Sequence, residues 1–223
     1  MASNSIAVAS PAPITRRLYN ALTYGLVAVS FLVLGFTYNF CESGGLEKIL
    51  GSGMGIGVLI GALVGSIGGI IVMGIGKSKQ SVGVSMVGYT LFSLTFGFTT
   101  ALLLDRYDVG TITTAFTVTA ALSGVFLVAG VLFPNAFSRL GGVLTIGLIG
   151  LIVIELVTSI FFHVDQTLFD YIGIALFCGF LGYDSYVMSA DQPTVPNAIF
   201  HASNIYLDII NILVRVLDIL NRD

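Results

Sequence analysis

The stretch HASNIYLDIINILVRVLDILNR, residues 201–222, is apolar enough to lie in a bilayer, yet polar side chains recur along it at alternating intervals of three and four residues. On a helix with about 3.6 residues per turn, this spacing places them on one face. These residues, called here the polar stripe, are His201, Asn204, Asp208, Asn211, Arg215, Asp218 and Arg222. A charge at the centre of a bilayer costs roughly 2.5 kcal/mol or more, so the stripe must face other protein or water. We therefore predict that this helix lies at the centre of the molecule.

The composition excludes a soluble protein. Of 223 residues, 56% are hydrophobic and only 9% are charged, and the mean hydropathy is +0.98. Soluble domains carry about 25% charged residues. A net charge of −3 offers no basic surface for nucleic acid, and the two cysteines, Cys41 and Cys178, lie too far apart in sequence to indicate a disulfide framework or a metal motif. The expected partner of the chain is the lipid bilayer.

Seven stretches are long and apolar enough to span a bilayer, which takes about 20 residues. They are residues 18–40, 54–76, 82–104, 110–133, 141–163, 166–188 and 198–220. The loops between them are too short to hold a soluble domain. The sequence therefore predicts an all-α membrane protein, a seven-transmembrane helix bundle over residues 16–223 with the last helix central. Residues 1–15 are small, polar or proline-containing and are predicted to form a disordered tail.

The positive charges of the short loops predict the orientation, because Lys and Arg favour the cytoplasmic side. If the N-terminus is inside, the inner loops hold five of these charges and the outer loops hold three. The inner ones are Arg16, Arg17, Lys77, Lys79 and Arg139, and the outer ones are Lys48, Arg106 and Arg222. This bias predicts a cytoplasmic N-terminus and an outer C-terminus.

The second span carries a glycine at every fourth position: Gly53, Gly57, Gly61, Gly65 and Gly69. Small residues at this spacing let helix backbones approach closely, so we predict tight packing against a neighbouring helix. A smooth helix that slides or tilts to open a path is the alternative interpretation.

Three carboxylates lie within the predicted spans, and an intramembrane ionisable group is a functional hypothesis by default. Asp184 lies roughly 6 Å from the end of the sixth span, and Asp208 lies roughly 10–15 Å into the seventh. Because these two helices run antiparallel, a modest tilt brings the two carboxylates level. Glu155, near the middle of the fifth span, is either functional or a structural partner of Arg215.

Two carboxylates at close range in a low-dielectric site cannot both ionise at low cost, so they are expected to share a proton. Raising the pH removes that proton and leaves an anionic oxygen cluster, which attracts hard cations such as Ca²⁺. Asp184 and Asp208 are therefore predicted to bind a permeating cation such as calcium and to sense pH. No permanently bound cofactor is expected.

The other polar residues are assigned by their place along the helices. Asn204 and Asn211, one turn on either side of Asp208, are predicted to support it by hydrogen bonds. Arg215 has three candidate partners, which are Glu155, Asp184 and Asp218. His201 and Arg222 are expected to be the interfacial ends of the stripe. The carboxylates at the predicted outer helix ends are expected to be solvated, namely Asp105, Asp108, Asp165 and Asp170.

Several short motifs resemble the Bax inhibitor-1 family, the transmembrane Bax inhibitor motif proteins. They are Gly88-Tyr89 with Leu91-Phe92, Ala115-Phe116, Gly182-Tyr183-Asp184 and the run Asn204-Ile-Tyr-Leu-Asp208-Ile-Ile-Asn211. The last is the most specific, because the closing span of the family carries a Tyr-Leu-Asp-Ile-Ile-Asn signature. The resemblance covers nearly everything after residue 16, and the length is near that of prokaryotic members, which suggests a protein of a bacterial plasma membrane.

The resemblance implies a seven-helix bundle whose last helix is wrapped by the other six. It also implies a pH-sensitive calcium leak controlled by two aspartates, which match Asp184 and Asp208 here. Bacterial relatives carry a basic residue on the second span that latches onto the sixth-span aspartate. In this chain no Lys or Arg lies between Lys48 and Lys77. Either the latch is absent or Arg215 substitutes for it from another helix.

Other functions compete with a calcium leak. A cation/proton exchanger would use the same aspartates together with Glu155. Intramembrane aspartyl proteases also pair aspartates on adjacent spans, but they need Gly-x-Gly-Asp at the second site, and here bulky Ile205, Tyr206 and Leu207 precede Asp208. A non-enzymatic function is therefore expected. A membrane interaction protein is the remaining alternative, and the short loops disfavour it.

Overall fold

The computed structural model describes residues 13–45, 55–162 and 164–222. Among these residues it contains seven long helices and no strand. The helices are α1 (Arg16–Phe40), α2 (Gly55–Ser78), α3 (Val82–Leu104), α4 (Val109–Leu132), α5 (Gly141–Val157), α6 (Thr167–Ala190) and α7 (Val195–Leu220). π-helical turns extend α1 over Cys41–Gly45 and α5 over Thr158–Phe162, and one helical turn, Pro134–Phe137, joins α4 to α5. The predicted all-α class is confirmed. The predicted tail lies outside the described residues except for positions 13–15.

Several helices begin at a side chain that caps their free backbone N–H groups. Thr15, Ser81, Asp108 and Thr194 each accept a hydrogen bond from the backbone three residues on, at the starts of α1, α3, α4 and α7. Ser, Thr and Asp are the residues that serve this role best. Local sequence therefore sets where these helices start.

Six of the helices, α1 to α6, are long and apolar enough to cross a membrane. Their outer faces carry large exposed hydrophobic side chains, as expected where lipid replaces water. The helix α7 does not belong to this group by composition, because the polar stripe lowers its apolar content. The molecule is therefore a helical membrane bundle with at least six candidate spans around a more polar helix.

The helix α7 lies at the centre of the bundle. Its backbone packs against α1, α2, α3, α4 and α6, and Arg215 reaches α5 through an ion pair with Glu155. Fifteen of its 26 residues are buried, compared with two of the 17 residues of α5. The prediction of a central last helix is confirmed.

The aromatic face of α7 points away from its polar stripe. Tyr206 is fully buried and meets the rings of Phe31, Phe92 and Phe96 edge-on, with ring centroids 5.1 to 6.2 Å apart. Edge-to-face pairs at this distance are favourable packing contacts. This face anchors α7 against α1 and α3, and the polar residues Asn204, Asp208 and Arg215 lie on the side of α7 that meets α5 and α6.

The helices α2 and α3 pack with their backbones in close contact through glycine. A Cβ added to Gly69 would lie 2.7 Å from the backbone nitrogen of Phe92, and one added to Gly88 would lie 2.6 Å from that of Met73. The prediction of close packing is thus confirmed for Gly69 and also for Gly65, which abuts the side chain of Thr95 on α3. It is wrong for Gly57 and Gly61, which have open space around them, and Gly53 lies outside the described residues.

Candidate functional site

Asp184 and Asp208 line the same cavity between α6 and α7. Its volume is about 230 Å³, and its other lining residues are Leu148, Phe177, Phe180, Tyr183, Asn204 and Leu207. Asp208 is only 4% exposed, and its Oδ2 atom has no hydrogen-bond partner among the described residues. The antiparallel packing of α6 on α7 therefore brings the two predicted carboxylates to one mostly apolar cavity.

The two carboxylates are close enough for the charge of Asp184 to act on Asp208. Neither of them takes part in an ion pair within the described part of the chain. No group of three or more His, Cys, Asp or Glu side chains able to hold a metal ion occurs in the described ranges. A calcium ion takes six to eight oxygen ligands. Asp184 and Asp208 have four carboxylate oxygens between them, which is fewer than this number.

The two asparagines beside Asp208 differ in their placement. Asn204 lines the cavity of the carboxylate pair. The Nδ2 atom of Asn211 instead donates to the backbone carbonyl of Leu207 at 2.8 Å. Among the described residues Asn211 thus makes its side-chain hydrogen bond to the preceding turn of its own helix and none to Asp208.

The partner of Arg215 is Glu155. The Arg215 Nη1 atom lies 2.6 Å from Glu155 Oε1, and Nη2 lies 3.2 Å from Oε2. Nη1 also donates to Asp170 Oδ1 at 3.3 Å and to the carbonyl oxygen of Phe169 at 3.2 Å. Of the two interpretations of Glu155, the structure supports the structural one. Arg215 does not substitute for a latch on Asp184, since its guanidinium is held by these other groups.

Asp170 is buried, not solvated as expected. It is 5% exposed, and its Oδ2 atom accepts from Arg222 Nη1 at 2.8 Å while Oδ1 accepts from Arg215. Arg222 is therefore a partner in this network and not merely an interfacial end of the stripe. The expectation of solvation is confirmed for Asp105, Asp108 and Asp165, which are exposed. The sequence analysis included Glu155 among the candidate partners of Arg215, but it missed Asp170 and Arg222, because the members of the network come from different helices.

The same end of the bundle, called here the Asp170 end, contains a second cavity of about 310 Å³. We call it the rim cavity; it is lined by Glu155, Ser159, Gln166, Asp170, Asn211, Val214, Arg215, Asp218 and Arg222. Asp218 accepts a hydrogen bond from the Tyr107 hydroxyl at 2.6 Å. Asp218 is therefore engaged with the end of α3 and does not pair with Arg215.

The opposite end of the bundle, called here the Asp191 end, has its own charged cluster. The Asp191 Oδ2 atom lies 2.9 Å from Lys77 Nζ and 2.9 Å from His201 Nε2. His201 is only 1% exposed, because Lys77 and Asp191 cover it at this end of the bundle. Lys77 also lies over the ring of Phe200, with Nζ 4.7 Å from the centroid. The basic residue at the end of α2 thus binds Asp191, in the loop after α6, and makes no ion pair with Asp184.

Ile14 and Arg16, at the start of α1, hold the loop after α6 in place by hydrogen bonds. The backbone N–H of Ile14 donates to the carbonyl of Pro193 at 2.8 Å, and Arg16 donates to the carbonyls of Met188 and Asp191. The side chain of Asn197 meets Gln80 at 2.9 Å. Elements far apart in sequence therefore close the Asp191 end together.

Asp191→Asn is expected to destabilise the protein by about 1–3 kcal/mol at pH 7, because a charge-assisted acceptor for Lys77 and His201 is lost. Burial opposes ionisation of Asp191, but hydrogen bonds from Lys77, His201 and the backbone of Gln192 outweigh it and hold its pKa below the usual range. A lowered folded-state pKa gives stability above the unfolded pKa of about 3.9, and this stability is lost as the pH falls through the folded value. Thermal unfolding between pH 7 and pH 3 measures this difference.

The gap in stability between the parent and Asp191→Asn should therefore narrow as the pH approaches 3. Asp105→Asn, at an exposed carboxylate, is the matched control. A gap that stays constant over this range would show that the ionised form of Asp191 contributes nothing.

The fold and the site together define a multi-pass helical membrane protein with two carboxylates that line one cavity against a central helix. A family model described as "Inhibitor of apoptosis-promoting Bax1" matches residues 14–223. The chain belongs to this family, the Bax inhibitor family, as its motifs suggested.

Relatives of the chain come from bacteria, fungi and plants. It is 28% identical over 162 residues to the inner membrane protein YbhL of Escherichia coli, covering 67% of this chain and 68% of that protein. It is 33% identical over 132 residues to Bax inhibitor 1 of Schizosaccharomyces pombe, covering 52% of this chain and 48% of that protein. Bax inhibitor 1 of Oryza sativa is 28% identical over 151 residues, 66% of this chain and 60% of the relative.

Proposed function

We propose that the protein is a pH-sensitive calcium leak channel in which Asp184 and Asp208 share a proton and control cation passage. One observation carries this proposal: both carboxylates line a single cavity against the central helix, and the buried Oδ2 atom of Asp208 has no hydrogen-bond partner among the described residues. A buried carboxylate without a partner is costly. An ion or a proton at this site would offset that cost.

The cycle follows from the chemistry of two neighbouring carboxylates. At low pH one proton lies between Asp184 and Asp208, and the pair carries at most one negative charge. As the pH rises the proton leaves, and the cavity gains the negative charge that favours a divalent cation. Calcium is the permeating ion in this scheme, with no resident cofactor and no enzymatic step.

The proposed setting is a bacterial plasma membrane with the N-terminus in the cytoplasm. Arg16 and Lys77 lie together at the Asp191 end, as the charge bias of the loops requires for one membrane side. The relative from Escherichia coli is named an inner membrane protein, which is consistent with this setting.

The structure disfavours the rival interpretations of the site. An exchanger that used Glu155 beside the aspartates would need it at the same cavity, but Glu155 lines the rim cavity and binds Arg215. A protease would need open backbone before Asp208, but Ile205 and Tyr206 are fully buried. Passive leak therefore fits the site better than exchange or proteolysis.

Calcium flux in proteoliposomes between pH 6 and pH 8 tests the proposal. In the parent we expect flux to rise with pH, by at most about tenfold per pH unit for loss of one proton. In Asp184→Asn and Asp208→Asn the pair can no longer share a proton between two carboxylates, so the rise should be largely lost. Asp165→Asn, at an exposed carboxylate, is the control and should behave as the parent does.

Two outcomes would contradict the proposal. A pH response that persists in both aspartate variants would exclude the pair as the sensor. A proton counter-flux that is matched to calcium uptake, followed with a dye inside the vesicles, would show exchange instead of leak.

A further inference from the structure

Two cavities follow one another along the polar stripe of α7, and they share no lining residue. The inner cavity holds Asp184 and Asp208, and the rim cavity begins on α7 at Asn211. Asp208 and Asn211 are less than one helical turn apart, about 4.5 Å along the axis. The polar face of α7 is therefore continuous, whereas the space along it is divided.

The side chain of Arg215 lies along the part of α6 that separates the two cavities. At one end of this part it contacts Asp170, which lines the rim cavity. At the other end its guanidinium carbon lies 5.9 Å from the centroid of the Phe177 ring, which lines the inner cavity. Between them lies Gly173, where an added Cβ would overlap the guanidinium. The side chain of Arg215 thus occupies the space between the rim cavity and the inner cavity.

Strong interactions hold Arg215 in this place. Glu155 binds it through both carboxylate oxygens, at 2.6 and 3.2 Å, and the side chain of Arg215 is 13% exposed. A two-bond arginine–carboxylate pair fixes both position and orientation. The same pair occupies the carboxylate oxygens of Glu155, which would otherwise be free to bind a cation.

We propose that Arg215 is a charged plug that closes the path between the rim cavity and the inner cavity. The role of this plug rests on the proposed leak function, whereas the position of Arg215 between the two cavities does not. A cation that enters from the rim meets a guanidinium at the boundary and must displace it. Displacement of the guanidinium frees the carboxylate of Glu155, and the carboxylate of Asp170 can then also bind the incoming ion. Arginine at a constriction is a known means of excluding cations from a pore.

Cysteine accessibility tests the plug without calcium flux. In a background with Cys41→Ala and Cys178→Ala, Asn211→Cys places a thiol at the rim cavity and Asn204→Cys places one at the inner cavity. A membrane-impermeant methanethiosulfonate reagent is added at the Asp170 end of oriented membranes. We expect the thiol at position 211 to react on the order of tenfold faster than the one at 204, and Arg215→Ala to bring the two rates within about threefold.

Matched variants separate the plug from general loosening. Arg215→Lys keeps the charge and should preserve most of the difference in rate. Arg222→Ala removes an arginine that binds Asp170 at the rim and should also preserve it. If Arg215→Ala does not elute as folded protein, Arg215→Ala with Glu155→Gln removes the carboxylate left alone and is judged by the same criterion.

Equal reaction rates at positions 204 and 211 in the parent would overturn the plug. So would an unchanged difference in a folded variant that lacks Arg215. Calcium flux measured beside the labelling, with an expected rise on the order of tenfold in Arg215→Ala, links the plug to the leak. If Arg215→Ala loses the difference in labelling rate but neither the parent nor Arg215→Ala conducts calcium, the result would support the plug and count against the calcium leak.

Discussion

Gly69→Leu is expected to break the packing of α2 on α3 and to lower the stability of the protein by about 3 kcal/mol or more. The reason is the kind of atoms that surround Gly69. Its added Cβ would lie 2.7 Å from the nitrogen of Phe92 and 2.8 Å from the carbonyl oxygen of Gly88, and both are backbone atoms. A rotamer change cannot relieve such a clash, so the helices must separate. Separation would also disturb Phe92, which packs on Tyr206 of the central helix.

The native cysteines report this unfolding directly, because Cys41 and Cys178 are both buried. Heating the purified protein with a thiol-reactive fluorophore should give a much lower transition temperature for Gly69→Leu than for the parent. Gly61→Leu is the matched control, since Gly61 is an exposed glycine on the same helix with no atom within 4 Å of its added Cβ. Similar losses at both positions would show that glycine matters here for helix flexibility and not for packing.

Gly173→Leu is expected to cost about 3 kcal/mol, because it expels the guanidinium of Arg215 and breaks a largely buried ion pair. The new side chain would occupy the place where Arg215 passes α6 to reach Glu155. Asp170 keeps Arg222 as a partner, so Glu155 is the carboxylate left unpaired. Since Glu155 is 25% exposed, water relieves part of the loss.

A double-mutant cycle isolates this effect from general overpacking. In an Arg215→Ala, Glu155→Gln background the space beside Gly173 is open, and Gly173→Leu should then cost less than about 1 kcal/mol. The measurement is the same thermal unfolding assay. If Gly173→Leu costs as much in this background as in the parent, the contact with Arg215 is not what requires glycine at this position.

The helices and the centre of the bundle could be predicted because their signals are local. A run of apolar residues defines a span wherever it packs. Six of the seven predicted spans agree with their helices to within three residues at each end, and the fifth runs six residues past Val157, over the π-helical turn that extends α5. The three-and-four spacing from His201 to Arg222 required a protected face, and α7 is the buried centre. The proximity of Asp184 and Asp208 could be predicted as well, since one short loop joins the two helices and sets their antiparallel register.

Of the ion-pair network, only the Glu155–Arg215 pair was among the alternatives that the sequence offered, and the other contacts could not be predicted. Asp170 lies near a helix start and looks solvated, yet two arginines from α7 and its C-terminal end cover it. His201 looks like the end of a span, yet Lys77 and Asp191 enclose it. Gly61 and Gly69 share one repeat, yet α3 approaches Gly69 and leaves Gly61 open.

The sequence by itself determined which residues form helices, which helix must keep its charged face away from lipid, and which family the motifs resemble. These properties follow from hydrophobicity and period along one segment. The tertiary structure alone decided which candidate partner Arg215 binds, which is Glu155, and that Asp191 binds both Lys77 and His201. It also decided that the polar stripe borders two cavities instead of one. Such choices depend on distances of a few Å between different helices, and residue spacing along one chain segment does not encode them.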